Sequence, residues 1–222
     1  MRLRPFEQLR TLSAVTMVAV SVGGDRVTIA AGAPPTVRVD GAERAVTGQI
    51  ALPHGGQVLA QGTRVVVEWP SGEGLVVDGA WDALLNASYR RGSSTRNLRG
   101  LLGNADGVAD NDLSTRDGRL VARANDPGAL YADFGESYRV RPTESLFDYA
   151  AGETTESLTD RGFPHGPREV LALPVARRRA AHLACAVQGV TDPAAFEACT
   201  RDVALTGDLR FARAAAAVGR GR

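Results

Sequence analysis

No lysine occurs in the 222 residues, so arginine carries all 26 basic charges. The substitution of one cation for the other throughout reads as coding bias rather than chemistry. Against 25 acidic residues it leaves a formal net charge of +1, which gives no field for a polyanion and argues against nucleic acid as a partner. Cysteine is scarce too: Cys185 and Cys199 are the whole complement, which excludes a disulfide scaffold but leaves room for one bridge or for two buried thiols. The three histidines, His54, His165 and His182, have no Cys or carboxylate at a zinc-type spacing, so they read as ordinary surface or structural residues. No apolar run approaches the roughly 18 residues of a membrane span. The apolar stretch from Leu12 to Val22 is broken by Ser13, Thr16 and Ser21 and alternates like a strand, unlike the core of a secretory signal. Nucleophile elbows of the Gly-x-Ser-x-Gly type, phosphate-binding glycine loops and HExxH helices are all missing.

What is present is hairpin grammar. Short β-branched runs at Ala14 to Val22, Arg26 to Ala30, Val37 to Val39, Gly48 to Leu52, Gln57 to Ala60, Thr63 to Trp69, Gly74 to Val77 and Trp81 to Tyr89 alternate with Gly, Pro, Asp and Ser clusters. This spacing, with no helical pattern between the runs, predicts a mainly β chain built as an antiparallel β-sandwich of short strands. After residue 141 the composition changes to Pro, Thr, Glu and Gly. From Pro167 it changes again to helical periodicity over Pro167 to Gln188, Pro193 to Asp202 and Asp208 to Val218, with Asp192 and Asp208 as caps. The expected organisation is a sandwich over 1–141, an extended arm over 142–166 and a small helical appendage over 167–222. In that appendage Cys185 and Cys199 would pin a hairpin too small to bury much core by itself.

The chemically specific stretch is Gly100-Leu-Leu-Gly-Asn104-Ala-Asp106-Gly-Val-Ala-Asp110-Asn111-Asp112. Asn104, Asp106, Asn111 and Asp112 offer amide or carboxylate oxygens within a tight loop. Hard oxygen donors without His or Cys favour calcium over zinc or copper. The competing reading is a solvated turn whose Asp and Asn side chains only bond their own backbone. An EF-hand does not fit: with Gly107 at the invariant glycine, Leu102 and Leu113 fall where the first ligand and the bidentate Glu belong. Glu153 and Glu156 lie three apart in the predicted arm, a poor setting for paired-carboxylate catalysis. Arg177-Arg-Arg179 reads as a solvated helix face, and Asn86-Ala-Ser88 is a weak glycosylation match.

The order of blocks, Gly100-Leu-Leu-Gly-Asn-Ala-Asp-Gly107, then Asn111-Asp-Leu113, then Phe134-Gly-Glu-Ser-Tyr-Arg-Val140, resembles the von Willebrand factor type D domain. In that family Gly-Leu-Cys-Gly-Asn-x-(Asn/Asp)-Gly is followed by Asn-Asp-(Leu/Phe) and a Phe-Gly-x-Ser-(Trp/Tyr) strand. Ser145-Leu-Phe-Asp-Tyr149 and the Cys199 region are similar to the extension that follows it in extracellular proteins. The resemblance implies a secreted or cell-surface module, with calcium held by Asn104, Asp106, Asn111 and Asp112 and by the carbonyl of Val108. Two departures stand out. Leu102 occupies the family's cysteine position, and the family's opening block, with one calcium-site Asp, has no counterpart upstream of Leu12.

The expectation is therefore a non-enzymatic extracellular structural or adhesive module, stabilised by a structural calcium ion and working with neighbouring extracellular domains or surface proteins. Two other classes compete with it. One is a secreted calcium-stabilised hydrolase. The other is a calcium-dependent carbohydrate-binding module using Trp69, Trp81 or Tyr89.

Overall fold

The computed structural model describes residues 1–5, 13–81, 84–93, 95, 98–121, 130–162 and 173–219. They fall into two compact units. One comprises Met1–Arg90, Leu146–Asp148 and Pro164–Arg222, and the other Arg91–Ser145 and Tyr149–Phe163.

The first unit is built on ten strands: β1 (Arg2–Pro5), β2 (Ser13–Val22), β3 (Asp25–Ala30), β4 (Thr36–Val39), β5 (Ala42–Arg44), β6 (Gly48–Ala51), β7 (Gln57–Gln61), β8 (Arg64–Glu68), β9 (Gly74–Trp81) and β10 (Leu84–Arg90). All pairings are antiparallel, in the order β5-β4-β3-β2-β10-β9-β8-β7-β6, with β1 also on β2. Two-residue turns join β2–β3, β4–β5 and β7–β8, and five-residue loops join β3–β4, β6–β7 and β8–β9. Asp40 and Gly41 both have positive φ (50° and 84°), the geometry of a hairpin turn whose twist matches its strands. Alternation then sorts the faces. Val27 and Ile29 of β3, Val58 of β7, Val65 and Val67 of β8 and Val77 of β9 are sealed in one valine-rich core, while the residues between them face outward.

The mainly β, antiparallel character expected from the sequence is present. The strands join, however, in one continuous curled sheet, a half-barrel, rather than in two separately paired sheets. Chain connectivity requires the curl. The end strands β5 and β6 are consecutive, and the three residues Ala45 to Thr47 can span at most about 15 Å. The two edges must therefore approach one another.

Three helices follow: α1 (Val175–Val187), α2 (Pro193–Thr206) and α3 (Arg210–Gly219). They bury Ala181, Cys185, Cys199, Val203, Ala204, Ala212 and Ala216 against each other, and α3 also lies on β9. Residues 167–172, the start of the expected first helix, lie outside the described residues, as does His165. Asp192 caps α2 as expected, its carboxylate accepting the Ala195 N–H at 2.9 Å. Asp208 accepts the Arg210 N–H at 2.9 Å where α3 begins. Cys185 and Cys199 form a disulfide between α1 and α2, with Cα atoms 6.2 Å apart.

The second unit is irregular. Around the antiparallel bridge between Ser114 and Leu120 a small hairpin forms. The motif-based expectation of a strand through Phe134 to Val140 is not met: Leu130–Gly135 is a helical turn. Turning puts Phe134 and Tyr138 edge to face at 5.5 Å, and the Tyr138 hydroxyl donates to the Ser114 carbonyl at 2.9 Å. Four-residue spacing joins two aromatics on a turning backbone, whereas in a strand it would have carried them apart along one face.

Candidate functional site

The predicted loop, residues 100 to 112, is exposed and folded on itself. The Asn104 amide nitrogen donates to Asn111 Oδ1 at 2.7 Å and to Asp106 Oδ2 at 3.2 Å, and the Asn111 amide nitrogen donates to Asp106 Oδ2 at 2.8 Å. Asp106 Oδ1 accepts the Val108 N–H at 2.7 Å, and Asn104 Oδ1 accepts the Asp106 N–H at 3.0 Å. Asn104, Asp106 and Asn111 are thus brought to one point. The Asn111 amide, and after it the Val108 N–H, hold the Asp106 carboxyl below the usual carboxylate range.

Asp112 plays a different part. Its Oδ1 accepts the Asn104 N–H at 3.0 Å and packs where a side chain on residue 103 would be: a Cβ on Gly103 (φ 83°) would lie 2.7 Å from Asp112 Cγ. The Val108 carbonyl accepts the Asn111 N–H at 3.4 Å, closing the short turn Ala109–Asn111. Three of the five predicted ligands therefore converge through their side chains, and the other two shape the backbone around them.

Oxygen donors of this kind suit a hard cation. Asn104, Asp106 and Asn111 are the side chains that could hold one, the Asp106 carboxylate and Asn111 Oδ1 as they stand and Asn104 after its amide turns its oxygen inward. The charge is modest, because among the described residues no three His, Cys, Asp or Glu side chains gather into a metal-binding group. Asparagines make up the rest of this one.

A second polar pair escaped the sequence reading. Asp25, fully buried at the start of β3, accepts both the backbone N–H of His54 at 2.8 Å and its ring Nδ1 at 2.6 Å, while the ring itself is 65% exposed. Burial pushes the Asp25 carboxyl up, but the two His54 hydrogen bonds and the ring's charge outweigh it and leave it below the ordinary value. His54 is raised, first by its hydrogen bond to Asp25. The pair fastens the Pro53-to-Gly56 turn to the β2–β3 hairpin. Nothing local announces it, since the partners are 29 residues apart.

Asp148 was equally illegible. It accepts the buried Thr28 hydroxyl at 3.2 Å and pairs with Arg26, holding Leu146–Asp148 on the outer face of β3.

Other candidates resolve plainly. Trp69 is half-buried against the valine core and meets Tyr89 edge to face at 6.5 Å, and the Tyr89 hydroxyl donates to Glu73 at 3.0 Å. The Trp81 side chain lies outside the described residues. Glu153 accepts the Ala150 N–H at 3.2 Å, a turn contact, and Asn86 sits within β10. Arg177 to Arg179 are exposed on α1. No helix is long and apolar enough to cross a membrane among the described residues. No protein-family model matches the chain, and no curated protein matches it significantly.

Proposed function

We propose that this chain is a non-enzymatic extracellular structural or adhesive module of the von Willebrand factor type D kind, stiffened by calcium in the loop from Asn104 to Asp112. The observation that carries the reading is the convergence of Asn104, Asp106 and Asn111 in a loop that Asp112 and Gly103 hold closed. Calcium would replace the amide–carboxylate hydrogen bonds with stronger ion–oxygen contacts. An ion held by the already closed loop would then add its binding free energy to the folded state alone. A ligand bound only to the folded state adds about 2.7 kcal/mol at a hundredfold excess over its Kd.

The finer parts of the proposal are a type D-like β region with the calcium loop over 1–141, an arm over 142–166 and a helical appendage over 167–222. Neighbouring extracellular domains or surface proteins are the proposed partners. The disulfide between Cys185 and Cys199 is compatible with an oxidising, extracellular location.

Differential scanning fluorimetry with saturating calcium and with chelator tests the reading. Calcium raises the melting temperature of the wild type, and Asp106→Ala removes the rise. Equal responses of the two proteins to calcium and chelator would rule the site out.

A further inference from the structure

The irregular unit carries a second concavity, to which no residue of the 100-to-112 loop contributes. It is an open cleft of about 360 Å³, and Glu136, Arg139, Arg141, Thr155, Glu156 and Arg161 line most of it. That volume lies in the range of small-molecule sites. Three guanidiniums and two carboxylates line it, and Asp160 and Glu144 act on Arg139 and Arg141 from beside it.

The charges are unevenly shared. Glu136 accepts from Arg139 Nε and Nη2 at 2.6 to 2.9 Å and lies 4.0 Å from Arg161 Nη1, so two cations already hold it. Arg141 has no carboxylate within ion-pair distance among the described residues, and Glu156 has no cation there either. Both backbones are held nonetheless. The Arg141 N–H donates to Glu144 at 3.2 Å, and the Thr155–Thr159 turn is tied by the Thr159 hydroxyl donating to the Thr155 carbonyl at 2.7 Å. The cleft thus presents an exposed guanidinium outside any ion pair, with the Glu144 carboxyl nearby, and an exposed carboxylate, both on held backbones beside a preformed Arg139–Glu136 pair.

A guanidinium fork matches a ligand carboxylate bidentately. A free carboxylate accepts from hydroxyls, and a locked Arg–Glu pair offers donors and acceptors side by side to neighbouring hydroxyls. Among the described residues that line it there is no aromatic side chain to serve as a platform for a flat ring. We propose that this cleft binds a small carboxylated polyol of the acidic-sugar class, its carboxylate on Arg141 and its hydroxyls shared between Glu156 and the Arg139–Glu136 pair.

The test is isothermal titration of the full chain with D-glucuronate, D-glucose and inorganic phosphate in turn. Glucuronate binds saturably and at least tenfold more tightly than either control. Arg141→Ala weakens it roughly ten- to hundredfold, the worth of a charged hydrogen-bonded contact. Arg141→Lys, which keeps the charge but not the fork, falls between the two, and Glu156→Gln weakens glucuronate while leaving phosphate unweakened. Arg141 has an exposed side chain, so its variants keep the wild-type melting temperature. The proposal is overturned by absence of glucuronate binding, by equal binding in wild type and Arg141→Ala, or by phosphate binding as tightly as glucuronate.

Discussion

Removing the Cys185–Cys199 bridge should loosen the helical hairpin by an amount the geometry sets. The two residues are 14 apart in sequence, and cross-linking so short a loop removes about 10 cal/mol/K of entropy from the unfolded chain, or about 3 kcal/mol at 25 °C. Both sulfurs are buried between α1 and α2, so Cys→Ser would add the separate cost of an unsatisfied hydroxyl. The clean perturbation is therefore Cys185→Ala with Cys199→Ala. Urea unfolding followed by circular dichroism at a helix-dominated wavelength is the right assay, because the chain contains two compact units and only part of the signal comes from α1 to α3. The variant should lose about 3 kcal/mol in the transition that carries the helical signal, and reductant should bring the wild type to nearly the same midpoint. A loss below about 1 kcal/mol would mean that the unfolded hairpin is already constrained without the bridge, and would refute the loop-closure account.

The Asp25–His54 clasp predicts a pH window. His54 is raised above the ordinary imidazole value of 6.5, so its contribution is full below that value and is lost as pH rises through the raised one. Asp25 is lowered below 3.8, so its contribution is present above that value and lost as pH falls through the lowered one. The wild-type melting temperature should fall on the alkaline side of this window, and the fall should flatten in His54→Gln. Asp148→Ala should cost about 1 to 3 kcal/mol in chemical denaturation, since it strands the buried Thr28 hydroxyl; a change within error would mean that water replaces the carboxylate. Gly56→Ala should destabilise by about 1 to 3 kcal/mol, because φ is 88° and the new Cβ would lie 3.0 Å from Val22 Cγ1 and closer still to the Glu68 carbonyl. Wild-type stability in that variant would show that the turn relaxes freely.

Local patterns were legible in this sequence, and distant pairings were not. Strands such as β3 and β8 announce themselves, because Val27 and Ile29 flank the polar Thr28 and because Val65 to Val67 is a β-branched run, each between turn signals. β1 and β5 do not, since Arg2–Pro5 and Ala42–Arg44 carry neither alternation nor β-branching beyond what a loop would. Whether the strands form one sheet or two depends on whether β2 meets β10, a contact no local pattern encodes. Phe134 to Tyr138 misled because a motif block was read as a strand although its aromatic spacing equally suits a turn. The loop was readable because Asn104, Asp106 and Asn111 are near neighbours. Asp25 with His54, and Asp148 with Thr28, are clasps between distant segments, and nothing in their surroundings marks one end as waiting for the other.

The way the sheet is assembled also bears on how it folds. β2 to β5 are successive hairpins, and so are β6 to β10, so each meander needs only short loops to close. Among the described residues the two meet where Val15 of β2 pairs with Leu85 of β10. Folding rates track how far along the chain contacts must reach, so this docking step limits the rate while the meanders form quickly around it. The same long-range joint is where the folded sheet is expected to open first. Amide exchange should be fastest along the β2–β10 boundary and slowest at Val27, Ile29 and Val65, which lie within the meanders.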